Sequence, residues 1–282
     1  MTSTSEGVII VKTGGAKGID DTPVLDDLAQ LHHNGQKAIL VHGGSEETNE
    51  ISEKLGHPPR FVTSVSGFES RFTDRKTLEI FTMVYCGRRN KALVEGLQQR
   101  SVNAVGLSGV DGRIFEGPIK TSVKALENGK KVILHGDNTG KVTRVNRKLI
   151  DLLLASGFFP VICPPAISEE SSLMMNVDGD RAAAMLAQAY EATALIILSN
   201  VPGLLREFKL GPAAPGNLIS TIDLSTTVDP YVSAEGRMKK KIMGAVEAIT
   251  GGVQRVILSS ANISRPISSA LAGAGTHIFK AQ

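Results

Sequence analysis

The chain has 282 residues, of which 41% are hydrophobic and 21% are charged, and its formal net charge is +3. This composition excludes an intrinsically disordered chain, and so small a net charge gives no sign of nucleic-acid binding. The two cysteines, Cys86 and Cys163, have neither the spacing of a disulfide framework nor that of a zinc site. Because no apolar run is long enough to cross a membrane and Met1 to Gly7 has no apolar leader, we expect a cytoplasmic protein.

Short apolar runs alternate with helix-length segments along the chain. The predicted strands are Val8–Lys12, Lys37–His42, Ala104–Ser108, Phe159–Cys163, Ala194–Ser199, Arg255–Ser259 and His277–Lys280. The predicted helices are Pro23–His33, Glu46–Leu55, Asp74–Gln99, Val145–Ser156, Arg181–Tyr190, Arg237–Thr250 and Pro266–Leu271. This alternation predicts an α/β fold in which an open, mostly parallel sheet lies between two layers of helices.

The segment from Val110 to Val142 interrupts the alternation, and its turn-forming pairs predict hairpins. Those pairs are Asp111-Gly112, Asn128-Gly129 and Thr139-Gly140. The proline pair Pro164-Pro165 and the polar run after it indicate a boundary between two lobes, residues 1–172 and 173–282. A stretch rich in glycine, proline and alanine, Gly211–Asn217, is predicted to be a surface loop or lid.

Three glycine-bearing turns, Lys12–Gly15, His42–Ser45 and Asn176–Asp180, each close or follow a strand-like run. Glycine lets backbone N–H groups approach phosphate oxygens, and the lysine of the first turn adds a positive charge, so together they indicate a phosphoryl-transfer site. Each turn also has a structural alternative. The glycines suit tight strand-to-helix turns, the histidine suits a structural hydrogen bond, and the last aspartate suits a helix cap.

The segment Gly136–Lys141 resembles a phosphate-binding P-loop but departs from it. It has three residues between its glycines where a P-loop has four, and Val142 stands where a P-loop has Ser or Thr. It also lies between predicted strands, and no helix is predicted to begin there. We therefore reject it as a nucleotide-binding loop.

Basic residues cluster in two places. Between Arg113 and Lys148 there are nine basic and three acidic residues, a local net charge of +6, which can attract an acidic partner or guard exposed strand edges. The helix predicted from Arg237 begins with Lys239–Lys241. Lys240 points away from its apolar stripe and is predicted to face solvent, whereas periodicity does not choose between the other two lysines.

Four motifs, taken together, resemble those of the amino acid kinase family. The family's K-x-G-G, H-G-G-x, N-x-x-x-D and G-x-M-x-x-K patterns stand here, in the family's order, as Lys12–Gly15, His42–Ser45, Asn176–Asp180 and Gly236–Lys241. Ser199–Leu204 looks like the family's nucleotide-lobe block T-D-V-x-G-V, with Ser-Asn in place of Thr-Asp. The resemblance covers nearly the whole chain and implies the carbamate kinase-like fold.

Within the family, the chain is most similar to the acetylglutamate kinase branch. Ser70–Asp74 and Thr77–Val84 resemble that branch's G-L-R-V-T-D and T-L-E-x-V-x-M-V runs. Gly67–Arg71 replaces the branch's shorter Gly-Leu-Arg and looks closer to the LysW-aminoadipate kinases. Those relatives phosphorylate an α-aminoadipate carried on the small acidic protein LysW, a partner that would explain the basic hairpin region. Lys120 and Lys124 are its candidate docking residues.

The resemblance implies transfer of the ATP γ-phosphoryl group to a side-chain carboxylate, which gives an acyl phosphate. Lys12 and Lys241 would contact the phosphoryl oxygens, and Asp180 would hold both lysines in place. Arg71 would pair with the α-carboxylate of the substrate, and Asn176 with its backbone-like polar groups. The Gly14, Gly15, Gly43 and Gly44 amides would cradle phosphates. Gly43 and Gly44 are candidates on the substrate side, and the candidates on the ATP side are Gly14, Gly15, Ser199, Asn200 and Gly203.

The resemblance also implies a cofactor and an assembly. Mg²⁺ would ride on the ATP phosphates, because the sequence shows no carboxylate cage and we assign no metal ligands. The relatives dimerise through the helix that corresponds to Asp74–Gln99, so a homodimer is implied. Leu78, Phe81 and Tyr85 could supply an apolar patch for it, although a buried core helix would have the same pattern.

Three functions fit these observations. The leading hypothesis is a LysW-dependent aminoadipate kinase of lysine biosynthesis, which also acts on the glutamate homologue for arginine or ornithine. The second is a kinase of free N-acetylglutamate in arginine biosynthesis. The third is a catalytically silent nucleotide-binding regulator, which the retention of both lysines and Asp180 disfavours.

Overall fold

The computed structural model describes residues 7–65, 67, 69–127, 130–211, 214, 216–231, 234 and 236–281. Within these residues the strands are β1 (Ile9–Thr13), β2 (Ala38–His42), β3 (Phe61–Ser64), β4 (Glu69–Arg71), β5 (Ala104–Ser108), β6 (Phe115–Gly117), β7 (Ile119–Glu127), β8 (Lys130–Gly140), β9 (Arg144–Val145), β10 (Phe159–Cys163), β11 (Ala166–Ser168), β12 (Met174–Met175), β13 (Ala194–Ser199), β14 (Thr221–Asp223), β15 (Arg255–Ser260) and β16 (Thr276–Phe279). The helices are α1 (Thr22–His33), α2 (Ser45–Lys54), α3 (Arg75–Thr82), α4 (Asn90–Gln98), α5 (Lys148–Ala155), α6 (Gly179–Ala189), α7 (Gly236–Thr250) and α8 (Pro266–Leu271), and a π-helical segment (Met83–Arg89) joins α3 to α4.

The central sheet has eight strands in the order β14-β16-β15-β13-β1-β2-β10-β5. Adjacent strands of this sheet are parallel to each other, except that β15 and β16 are antiparallel. Helices cover both faces, so β1, β2 and β10 are buried along their whole length and their sequences are continuously apolar or nearly so. The predicted α/β fold is therefore confirmed.

Successive side chains of β1 point to opposite faces of the central sheet, and the core has one layer on each face. Ile10 packs with buried residues of α5, α6 and α7 on one face, whereas Ile9 and Val11 pack with α1, α4 and α8 on the other. Burying each such side chain contributes roughly 1.5–3 kcal/mol, so both helical layers are held firmly to the sheet. The rigid sheet in turn fixes the loops at its carboxyl edge.

The hairpins predicted after the long helical segment belong to a separate four-stranded sheet, in the order β4-β3-β7-β8. β7 and β8 pair antiparallel, although the turn pair Asn128-Gly129 between them lies outside the described residues. Asp111-Gly112 forms a short 3₁₀ turn. The helix predicted from Val145 begins later, at Lys148, because β9 pairs with β6 instead.

The predicted apolar dimer patch on the long helical segment is wrong. Leu78, Phe81 and Tyr85 are 0%, 3% and 7% exposed, and they pack against Cys163 within the same chain. The alternative, a buried core helix, is the observed one. An apolar stripe looks the same in a sequence whether it faces its own core or a second copy.

The boundary predicted near residue 172 falls between β11 and β12, and whether the two sides act as separate lobes stays a prediction. The central sheet continues across that division, with β1 pairing directly with β13.

In the predicted lid, residues 212, 213 and 215 lie outside the described part, while Asn217 is buried and donates to the Gly211 carbonyl. Across the residues that the structure describes, no helix is long and apolar enough to span a membrane.

Candidate active site

Three neighbouring strands of the central sheet end at the same edge, and a predicted motif follows each of them. β1 lies between β2 and β13, and parallel pairing places Thr13 beside both His42 and Leu198. The loops that carry the K-x-G-G, H-G-G-x and Ser199–Leu204 sequences therefore meet. Ligands of open α/β sheets bind at this carboxyl edge.

Lys12, Asp180 and Lys241 converge at this edge from three different elements. The Lys12 Nζ atom is 2.6 Å from Asp180 Oδ1, and the Lys241 Nζ atom is 2.8 Å from Asp180 Oδ2. Their side chains are largely buried, with exposed fractions of 8% for Lys12, 13% for Asp180 and 15% for Lys241. One carboxylate thus holds two ammonium groups side by side, an arrangement that suits the binding of a polyanion.

Asp180 is available to the lysines because another residue caps its helix. At the start of α6, the Asp178 side chain accepts hydrogen bonds from the Asp180 and Arg181 amides, both at 3.0 Å. The helix-capping alternative for Asp180 is therefore wrong. A bidentate ion pair between Arg181 and Glu247, at 2.7 and 3.0 Å, joins α6 to α7 and helps to fix the helix that carries Lys241.

The charges of this cluster influence one another. Burial alone would raise the pKa of the Asp180 carboxyl, but the Lys12 and Lys241 ammonium groups hold it well below its usual range. Burial lowers the pKa of Lys241, and the Lys12 charge acts in the same direction, while Asp180 opposes both. The aspartate therefore helps to keep Lys241 protonated in a place where its attraction for phosphate is less screened than in water.

The two glycine loops pack directly against each other beside this cluster. A Cβ atom at Gly15 would lie 2.2 Å from the Gly44 amide nitrogen, and a Cβ atom at Gly43 would lie 3.0 Å from the Gly15 nitrogen. Only glycine allows backbones to approach so closely. The paired glycines therefore bring the loop after β1 and the loop after β2 together.

The hydrogen bonds of these glycines correct part of the predicted phosphate cradle. The Gly14 amide donates to a β13 carbonyl at 3.1 Å, and the Gly43 amide donates to a β1 carbonyl at 3.0 Å. Gly44 lies against the Tyr85 ring, since a Cβ atom at Gly44 would be 3.1 Å from a carbon of that ring. The Gly14 and Gly43 amides are already used in holding the loops, so Gly15 and Gly44 are the predicted cradle glycines that remain candidate phosphate donors.

His42 has the structural role that the sequence left open. The Asn90 Nδ2 group donates to His42 Nε2 at 3.1 Å, so His42 Nδ1 carries the proton and donates to the Gly43 carbonyl at 3.0 Å. Burial lowers the pKa of His42 to about 3, which keeps the imidazole neutral. Asn90 also donates to a β10 carbonyl, so this pair ties β2 and β10 to α4.

Comparison with known proteins settles the family. The model described as Amino acid kinase family matches residues 7–260. This chain belongs to the amino acid kinase family. As a kinase it is a phosphotransferase that uses ATP.

Individual comparisons agree with this membership. A protein named LysW-aminoadipate kinase from Deinococcus radiodurans is 58% identical over 270 residues, which cover 95% of this chain and 90% of the relative. One of the same name from Thermus thermophilus is 54% identical over 271 residues, which cover 95% of this chain and 99% of the relative. A Giardia carbamate kinase shares the fold, with a TM-score of 0.68 at 15% identity over 99% of this chain and 100% of that one.

In this amino acid kinase, Arg71 contacts the start of α2, which follows β2, whereas the nucleotide-lobe motif follows β13 on the other side of β1. Arg71 ends β4, where its Nη2 donates to the Ser45 carbonyl at 3.2 Å and its guanidinium lies 5.2 Å from the centre of the Phe61 ring. The Asn176 Nδ2 group donates to Thr73 Oγ1 at 3.0 Å. Within the family-diagnostic stretch Gly67–Arg71, position 68 lies outside the described residues.

The nucleotide-side candidates occupy the end of β13. The Ser199 hydroxyl donates to the Val201 carbonyl at 3.3 Å, and Asn200 Nδ2 donates to the Lys17 carbonyl at 3.5 Å, which connects this loop to the one after β1. Gly203 is buried, and a Cβ atom there would lie 2.5 Å from the Thr276 hydroxyl. These contacts show how the loop is held and leave its nucleotide contacts as a prediction.

The prediction that Lys240 faces solvent is wrong. Its Nζ donates to the Glu69 carbonyl, so it connects α7 to β4. Lys239 is the exposed lysine of the three, and Lys241 is the one that reaches Asp180. Helical periodicity gave the direction of each side chain from its own helix but not which distant strand lies opposite.

The predicted docking lysines, Lys120 and Lys124, are both exposed on β7. Lys124 pairs across the strands with Ile133, which is 57% exposed. The same sheet carries Arg71 on β4, which is separated from β7 by β3.

Several residues at the site were not predicted from the sequence. Tyr85, predicted as part of a dimer patch, faces the H-G-G-x loop instead, and burial raises its pKa to about 12. Thr73 bridges the two candidate acceptor residues, although the Ser70–Asp74 motif that contains it indicated no role for this threonine. Cys86 and Cys163 are free thiols whose Sγ atoms lie 4.0 Å apart, although they stand in unrelated stretches of the chain.

Proposed function

We propose that this protein transfers the γ-phosphoryl group of ATP to the side-chain carboxylate of an α-aminoadipate carried on a small acidic LysW-like protein. The two relatives at 58% and 54% identity both bear the name LysW-aminoadipate kinase. The observation that supports the chemistry is that the two carboxylate oxygens of Asp180 each contact a lysine ammonium group, Lys12 at 2.6 Å and Lys241 at 2.8 Å. The product would be an acyl phosphate on the pathway to lysine, and the protein would act in the cytoplasm.

The residues fit a reaction that needs no general base. A carboxylate acceptor is already ionised at neutral pH and can attack phosphorus directly. Catalysis then depends on aligning the two substrates and on neutralising negative charge at the transferring phosphoryl group. Lys12 and Lys241 would contact its oxygens, with Asp180 holding both lysines, and the Gly15 amide would donate to phosphate.

The cofactors are ATP and, as part of this proposal, Mg²⁺. The part of the chain that the structure describes has no group of His, Cys, Asp and Glu side chains that could hold a metal ion by itself. Mg²⁺ would therefore be brought by the nucleotide phosphates, whose charge it offsets. Ser199, Asn200 and Gly203 would line the nucleotide on the side of β13.

On the acceptor side, Arg71 would pair with the α-carboxylate of aminoadipate and Asn176 with its neighbouring polar groups. The glutamate homologue is one methylene shorter, a difference worth only ~1–3 kcal/mol of discrimination. We therefore include carrier-bound glutamate as a second acceptor, which would give the protein a role in arginine biosynthesis too.

A homodimer is also part of the proposal. Its face would be the solvent side of the helix from α3 to α4, where Met83 is 53% exposed.

The test is a coupled assay of ADP release under Mg-ATP with three acceptors compared side by side. We expect turnover with carrier-bound aminoadipate, weaker or equal turnover with carrier-bound glutamate, and little with free N-acetylglutamate. The acyl phosphate is trapped with hydroxylamine as a hydroxamate. Robust turnover of free N-acetylglutamate without the carrier would instead identify an N-acetylglutamate kinase, and ATP binding without any hydroxamate would revive the silent regulator.

Charge reversal on the basic hairpin tests the carrier-docking part of the proposal. Lys120→Glu and Lys124→Glu should each weaken carrier binding and flatten its dependence on salt, because they remove attraction for an acidic partner. Binding is measured by calorimetry across a series of salt concentrations. The control is Lys37→Glu, which alters another exposed lysine, just before β2 and therefore at the amino end of a central strand, away from the four-stranded sheet. Unchanged carrier binding in both hairpin variants would return these lysines to guarding the strand edge.

A further inference from the structure

The segment Gly136–Lys141, which is no P-loop, has a different role in the structure. It forms the end of β8, where it hydrogen-bonds Thr73, two residues after Arg71, and the loop that carries Asn176. We infer that Asp137 in this segment is a positioning residue that holds Arg71 and Asn176 in register for the acceptor. This inference rests on the proposed function, since it assumes that these two residues contact the acceptor.

Asp137 is buried, with an exposed fraction of 3%, and both of its carboxyl oxygens accept hydrogen bonds. Oδ1 accepts from the Thr73 amide at 3.1 Å, and Oδ2 accepts from the Thr139 hydroxyl. Buried polar groups of this kind are costly unless they are paired, so a carboxyl placed here fixes the backbone of Thr73 strongly.

Thr73 in turn touches both candidate acceptor residues through one oxygen atom. Its hydroxyl donates to the Arg71 carbonyl at 3.2 Å and accepts from Asn176 Nδ2 at 3.0 Å. Thr73 is fully buried, which leaves its side chain little freedom to relax. A shift of the Thr73 backbone therefore moves Arg71 and Asn176 together.

Asn138 closes the arrangement from the neighbouring position. Its backbone amide and its Nδ2 group both donate to the Thr73 carbonyl, at 2.8 and 3.0 Å. Its carbonyl accepts from the Asn176 amide at 2.9 Å, and the Gly140 amide donates to the Asn176 carbonyl, also at 2.9 Å. Three stretches that are distant in sequence are thus joined by hydrogen bonds around Asp137, which makes a single substitution there informative.

Asp137→Asn is the variant that tests the inference, because it keeps the side-chain volume and replaces one accepting oxygen by a donor. We expect the acceptor KM to rise at least ~10-fold, because misplacing positioning groups costs alignment. The ATP KM should stay within about 2-fold, since the nucleotide side does not depend on Thr73. An acceptor KM within about 2-fold of the parent value would overturn the inference, and so would equal increases in both KM values.

The matched control is Asp27→Asn, which alters another buried aspartate. Asp27 is 1% exposed and accepts from the Ile267 and Ser268 amides, each at 2.7 Å, where it ties α1 to α8. It should lose comparable stability in thermal unfolding while the acceptor KM stays unchanged. A rise in the acceptor KM in this control as large as that in Asp137→Asn would show a general effect of destabilisation and would overturn the inference.

Two further measurements keep the inference testable. If Asp137→Asn does not fold, Thr139→Val removes only the hydroxyl that donates to Asp137, and it should shift the acceptor KM in the same direction by a smaller factor. If the parent enzyme turns over free N-acetylglutamate but not the carrier-bound acceptor, the proposed function fails, and the same comparison of KM values is made with free N-acetylglutamate.

Hydrogen–deuterium exchange supplies a readout without turnover. Exchange should increase together at residues 69–73 and 174–177 in Asp137→Asn, and unchanged exchange at both would overturn the inference.

Discussion

Replacing Lys241 with alanine is expected to lower kcat by at least ~10² while the KM values for ATP and acceptor stay within a few-fold. The reason is geometric. Its Nζ atom is 2.8 Å from Asp180 Oδ2, on the opposite carboxylate oxygen from Lys12, so the two cations can contact the phosphoryl group from two sides. A contact that strengthens as charge develops in the transition state affects kcat more than substrate binding. Steady-state kinetics with both substrates varied provides the measurement.

Lys239→Ala is the matched control for this experiment. It removes the same charge two positions away on the same helix, but Lys239 is exposed and lies about 200° around the helix from Lys241. The kcat of this variant should therefore be close to that of the parent. If Lys241→Ala instead raises the ATP KM and leaves kcat intact, the lysine contributes to ATP binding but not to stabilising the transition state. The proposed role at the transferring phosphoryl group would then be wrong.

The sequence predicted the sheet and the ligand edge well because both depend on local patterns. Runs such as Ala194–Ser199 are apolar along their length, as strands covered on both faces must be, and their limits match the structure. The four motifs lie directly after such strands or at the start of helices, so their convergence at one edge followed from parallel topology. That Lys12, Asp180 and Lys241 would meet there was implied by the resemblance to the amino acid kinase family, since helical periodicity alone did not choose Lys241.

What the sequence did not predict depends on distant partners. β3 and β4 are short and partly exposed. They pair with each other, and β3 also pairs with β7, some sixty residues further along the chain. Lys240 reaches a carbonyl of that same hairpin, which no helical pattern could indicate. Similarly, glycine in a turn predicts close approach but not which carbonyl will accept each amide. For this reason the predicted phosphate cradle needed correction at Gly14 and Gly43.

Replacing Asp180 with asparagine is the second change with a large expected effect. Without the carboxylate, two largely buried ammonium groups face each other, and burial together with the Lys12 charge would lower the pKa of Lys241 further. We expect kcat at neutral pH to fall by at least ~10². Because protonation of Lys241 is needed, the fall in kcat at alkaline pH should begin at a lower pH than in the parent. The full dependence of kcat on pH is the measurement.

Stability gives an independent check of the same variant. The folded-state pKa of Asp180 lies below its unfolded value, so this carboxylate stabilises the fold above the unfolded pKa and stops doing so as pH falls through the folded one. Breaking such a buried pair costs roughly 3–5 kcal/mol, so Asp180→Asn should unfold at lower urea concentration at neutral pH, with the difference narrowing under strongly acidic conditions. Asp178→Asn is the control, since asparagine also caps helices and the lysines keep their partner. A kcat for Asp180→Asn that matches this control at every pH would show that Asp180 does not organise the lysines.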